Sequence, residues 1–78
     1  MSVDVTQVRG LADAITAGDK ERIDTLAAAL GLRVDWHGTH FRLRRGARSV
    51  VCSLEMPRAQ LETQMRVLFG RIWAIASR

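Results

Sequence analysis

Residues 32–56, LRVDWHGTHFRLRRGARSVVCSLEM, decide the fold of this 78-residue chain. Apolar and polar side chains alternate through most of the stretch, the period of a half-buried strand. The alternation is interrupted at His37-Gly38-Thr39-His40 and again at Arg45-Gly46-Ala47-Arg48. Each interruption accommodates a two-residue loop containing glycine, the usual connection of a β-hairpin. With loops at Gly38-Thr39 and Gly46-Ala47, Trp36 faces Phe41, Val34 faces Leu43, Leu43 faces Val50 and Phe41 faces Cys52. One side of the meander is then Leu32, Val34, Trp36, Phe41, Leu43, Val50, Cys52 and Leu54, a continuous apolar surface. A slip of one residue would send that whole set to the wrong face, so agreement across both turns argues for the assignment. A loop at His37-Gly38 would shift partners by two but keep the same faces.

Working towards the N-terminus, the period changes to that of a helix. Asp4 is placed to cap a first helix, with Gln7 in the reciprocal position of a capping box and Val3 and Val8 at the staple positions. Val8, Leu11, Ala12 and Ile15 line one face, and Gly18 ends the helix. Asp19 caps a second helix with the stripe Ile23, Leu26, Ala27 and Leu30, ended by Gly31. The two form an αα-hairpin over 4–30. Beyond the meander (32–55), Pro57 suits a helix start, and one C-terminal helix is expected over 57–76. Its core stripe reads Leu61, Met65, Leu68, Ile72, Ile75 and Ala76, with Phe69 and Trp73 beside it. The expected fold class is α+β: a small single domain (1–78), ααβββα, with a three-stranded antiparallel meander and helices packed on one face.

Composition sets limits on function. The chain is 47% hydrophobic and 26% charged, which suits a folded domain. A lone cysteine, Cys52, forms no internal disulfide and fits a reducing compartment. The N-terminal stretch lacks the basic flank and apolar run of a secretory signal, so a cytoplasmic location is expected, with no membrane partner. The net charge of +4 is unevenly spread. Residues 1–31 hold three bases and five acids; residues 32–78 hold nine arginines and three acids. An acidic partner would therefore meet the rear of the chain.

The polar side of the meander carries Arg33, Asp35, His37, His40, Arg42, Arg44, Ser49, Val51, Ser53 and Glu55, with Arg45 and Arg48 flanking the second turn. An antiparallel sheet commonly leaves one face in water, and that alone accounts for polar residues here. Arginines of like sign on neighbouring strands cost stability, however, and a partner that neutralises them relieves that cost. Arg33, Arg42, Arg44, Arg45 and Arg48 are accordingly the candidate partner-binding residues. The planar guanidinium fork suits carboxylates, so the expected partner is an acidic surface of another protein.

Nucleic acid is the alternative partner, bound through the same arginines on phosphates. It is disfavoured because Trp36 and Phe41 face the core, leaving no exposed aromatic for base stacking. A winged-helix reading also fails, since Asp19, Glu21 and Asp24 crowd the helix that would enter a DNA groove.

No catalytic residues are assigned. There is no defensible serine, histidine and acid arrangement, no phosphate-binding glycine loop and no paired carboxylates on one face. His37, His40 and Asp35 fall short of the four converging ligands of a structural zinc site, and Cys52 lies on the other face, so no metal or cofactor is expected. Cys52 itself reads as a small buried hydrophobe. On the last helix, Phe69 and Trp73, with Val67, offer a candidate interface for a homodimer or structural subunit; the competing reading places them in the core. The expectation is a small non-enzymatic interaction module, a regulator or inhibitor acting by occlusion. Its likeness to small phage-encoded inhibitors is one of size only.

Overall fold

The computed structural model describes residues 3–78. Seven elements follow in order: α1 (Val5–Ala17), α2 (Lys20–Ala29), β1 (Arg33–His37), β2 (His40–Arg45), β3 (Arg48–Ser53), α3 (Arg58–Phe69) and α4 (Arg71–Ala76). The strands form one antiparallel sheet in the order β1-β2-β3, and the helices cover one of its faces.

The αα-hairpin is made by its caps. The Asp4 carboxylate accepts from the Thr6 N–H at 2.9 Å and starts α1. At the other end, Gly18 takes φ 73°, and the amides of Gly18 and Asp19 donate to Ile15 and Ala14 carbonyls, which closes the helix in a Schellman-type turn. Asp19 then caps α2 by accepting from the Arg22 N–H at 3.2 Å. One aspartate thus ends one helix and begins the next.

The register of the meander is the one expected from two-residue loops at Gly38-Thr39 and Gly46-Ala47. Trp36 pairs with Phe41, Val34 with Leu43, Leu43 with Val50 and Phe41 with Cys52. Phe41, Leu43, Val50 and Cys52 are buried against Val8, Leu11, Ile15, Leu61, Met65 and Leu68. The Trp36 and Phe41 rings lie 4.6 Å apart, tilted by 41°, within the range that adds aromatic attraction to simple burial.

The C-terminal segment departs from the single helix expected from its sequence. Gly70 adopts φ 60° and ψ −127°, a conformation open in practice to glycine alone. The helix breaks there, and α4 sets off in a new direction to pack on α1. The break shifts the phase of the following residues. Trp73 and Phe69 turn inward, each 2% exposed, whereas Ile75 turns out to 55% exposure. Phe69 and Trp73 are therefore core residues of this chain and offer no surface to a second subunit. Of the apolar residues on α3, Val67 stays outside.

Candidate anion-binding sheet face

The face of the sheet away from the helices presents three transverse rows. Strand pairing places Arg33, Arg44 and Ser49 in one, Asp35, Arg42 and Val51 in the next, and His37, His40 and Ser53 in the third. Directly opposed side chains on neighbouring strands stand about 5 Å apart at their β-carbons. All of these residues are exposed except Ser53, which is half-buried. Among the described residues no helix or loop covers the face, since the continuous apolar surface of the meander is on its other side.

The rows differ in charge. Arg42 faces Asp35, so the middle row is close to neutral. Arg33 faces Arg44 with no acid in the row, only the Ser49 hydroxyl. Among the described residues the ion pairs are Arg58–Asp13 at 3.3 Å, which ties α1 to α3, and Arg58–Glu62 at 3.2 Å, within α3; no arginine of the sheet takes part. Arg33 and Arg44 also wall a hollow of about 400 Å³ at the corner of the sheet, together with Gly31 and Gly46. Both glycines have positive φ, and a β-carbon added at either would meet no atom within 4 Å. The backbone at this corner is bare on both sides of the arginine pair.

Arg45 and Arg48 do not belong to this face. They share the parity of Phe41, Leu43 and Val50 and so project to the helix side of the sheet. Arg45 Nη1 donates to the Leu68 carbonyl at 3.4 Å, and its guanidinium lies 5.5 Å from the centre of the Phe69 ring. Arg48 Nη1 reaches 3.5 Å from where a β-carbon on Gly70 would stand. Arg45 thus serves the C-terminal end of α3, where free carbonyls attract positive charge, and Arg48 lies beside the Gly70 break. The basic cluster of the sequence is divided by the pleat: three arginines face out, and two project to the side of the helix break, where Arg45 bonds the end of α3.

His37 and His40 stand opposite each other at the first turn, and among the described residues no three His, Cys, Asp or Glu side chains converge. Cys52 is on the opposite face of the sheet, 1% exposed. Burial pushes its thiol up to about 11, so it stays protonated at neutral pH and lacks the thiolate that nucleophilic chemistry requires. A second hollow, about 430 Å³, runs along α2 past Asp19, Glu21, Arg22, Thr25 and Leu26. It mixes both signs of charge and draws no convergent set of groups together.

Alternation already puts Val51 on this face; one contact and one hollow there escape a reading of the sequence. Val51 is 50% exposed, an apolar side chain beside Arg42, and its carbonyl accepts from Gln64 Nε2 at 3.1 Å, which anchors the outer edge of β3 to α3. The corner hollow depends on Gly31 and Gly46 lying close in space, which only the folded meander brings about. No helix of the described residues is long and apolar enough to cross a membrane. No protein-family model, curated protein or solved structure matches the chain.

Proposed function

We propose that the chain is a non-enzymatic protein-interaction module that docks the open face of its sheet on an acidic surface of another protein, and regulates or inhibits that protein by occlusion. The observation that carries this reading is the uncovered face itself: Arg33, Arg42 and Arg44 project from a rigid sheet without an ion-pair partner. Arginines held on paired strands lose little further freedom on binding, which favours association. Their forked donors match carboxylates.

Val51 favours a protein over a nucleic acid. A half-exposed β-branched side chain flanked by arginine gives a protein interface a dry centre with a charged surround. A phosphate backbone makes no comparable use of it, and the face carries no aromatic for stacking bases.

The test is affinity capture from nuclease-treated lysate of the source cells, comparing the native chain with Arg42→Glu/Arg44→Glu, followed by reconstitution with the purified partner. One discrete acidic protein, bound by the native chain and lost by the double variant, is the expected result. Capture of nucleic acid alone, removed by nuclease and by moderate salt, would replace this reading with phosphate binding. Equal capture by both versions would show that the open face is merely solvated.

A further inference from the structure

We infer that the Arg33–Arg44–Ser49 corner is a discrete oxyanion site that receives one carboxylate side chain of the partner, and that Arg42 lies outside it. This site rests on the docking reading above, and it ranks the arginines that the reading treats alike.

Three observations converge on the corner. Arg33 and Arg44 are directly opposed in the β1–β2 register, two like charges with no acid in their row. Arg42, one row away, has Asp35 opposite it. The hollow of about 400 Å³ lies against Arg33 and Arg44 and not against Arg42. Its remaining walls are Gly31 and Gly46, whose missing side chains leave the approach open.

The chemistry follows from that arrangement. A carboxylate entering the hollow meets two guanidinium forks from neighbouring strands, each able to donate in parallel to its two oxygens. The Ser49 hydroxyl on the far strand completes the row as a further donor. The negative charge removes the repulsion between the two arginines, so occupancy gains from relief of an unfavourable pair as well as from new hydrogen bonds. The middle row has no such deficit, because Asp35 stands opposite Arg42 and balances its charge.

The test follows the arginine Nε–Hε resonances of ¹⁵N-labelled protein during titration with an acetylated, amidated hexaglutamate peptide, with inorganic phosphate and with a short single-stranded oligonucleotide in parallel. The Arg33 and Arg44 signals are expected to shift together and saturate with the peptide, while Arg42 moves much less. Arg33→Gln or Arg44→Gln should weaken peptide binding about tenfold, the loss of one charge-assisted pair of hydrogen bonds. Arg42→Gln should weaken it less than about threefold, as for an exposed long-range charge. Equal losses for all three variants would leave the docking face standing and overturn the corner site. Saturation of the pair by phosphate or oligonucleotide but not by peptide would overturn the carboxylate assignment and the protein-docking reading together. Linear, unsaturating shifts with every probe would overturn the site, and the capture experiment would then decide the docking reading alone.

Discussion

The indole Nε1 of Trp36 donates to the Asp24 carboxylate at 2.8 Å, and this bond joins β1 to α2. Lys20 closes the same corner. Its ammonium sits 5.0 Å from the centre of the Trp36 ring and donates to the Gly38 carbonyl at 3.3 Å. The half-buried tryptophan is thus held on its edge and on its face by the helix hairpin. Hydrogen bonds to charged groups contribute about 1.5–3 kcal/mol when shielded, and less at a wet site such as this one. Asp24→Ala and Trp36→Phe are each expected to be destabilising. A double-mutant cycle read by urea unfolding should give a coupling of about 1 kcal/mol. Strict additivity would show that the bond contributes nothing in solution.

Gly70 separates two accounts of the C-terminal segment. In one continuous helix, Gly70→Ala would stabilise by up to about 1 kcal/mol through helix propensity. At φ 60° and ψ −127°, alanine is instead strained, and a loss of about 1–3 kcal/mol is expected. Thermal unfolding of the variant distinguishes the two by sign.

The Arg33–Arg44 pair predicts a gain of stability from loss of charge. Arg44→Thr removes a like-charge contact and places a β-branched residue in a strand, so unfolding should become harder by a few tenths of a kcal/mol, up to about 1. The gain should shrink in high salt, where the repulsion is already screened. Arg45→Ala, by contrast, should be destabilising by about 1 kcal/mol because it strips the α3 terminus and the Phe69 ring of their cation. Opposite signs for two arginines adjacent in sequence would confirm that the pleat divides them.

Cys52 fixes an alkaline limit. Its thiol is raised to about 11 in the folded chain against an ordinary value of 9.0, through desolvation by burial. The folded state therefore holds this proton more tightly than the unfolded state does. The associated stability is present in full below the unfolded value and is lost as pH rises through the folded one. A fall of about 2 kcal/mol is expected between pH 9 and 11. The chain has no tyrosine and a single lysine, so few other groups titrate in that window. Cys52→Ala should start less stable because of the cavity it leaves, yet lose this part of the pH dependence.

Val51 tests the open face without altering its charge pattern by arginine loss. Val51→Thr keeps the β-branched shape and the strand preference at an exposed position, so stability should change by less than about 0.5 kcal/mol. If the docking interface has a dry centre here, affinity for the captured partner should fall about fivefold or more, as expected for a polar group desolvated at a contact. Unchanged affinity would place Val51 outside the contact.

Most of the architecture could be read from local pattern. Each helix of the hairpin has its stripe and its cap within a dozen residues, and alternation with two glycine turns specifies three strands and which side of each is apolar. These signals are short-range, set by backbone geometry and by which side of each element is apolar. The division of the arginines was harder to see, although parity contains it: Arg45 and Arg48 align with Phe41 and Val50, not with Arg42 and Arg44. Their place at a turn hid the side to which they project, and their use became plain only when the end of α3 appeared above them.

What the sequence by itself determined, then, was the helix hairpin, the three strands and the identity of the open face, because each follows from periodicity. The tertiary structure alone decided three further things. It broke the last helix at Gly70, turning Trp73 inward and Ile75 outward, with α4 packed against α1. It set Arg45 on the end of α3 and Arg48 beside Gly70. It also gathered Gly31, Arg33, Arg44 and Gly46 around one hollow, because residues from separate turns become neighbours only after the meander has folded.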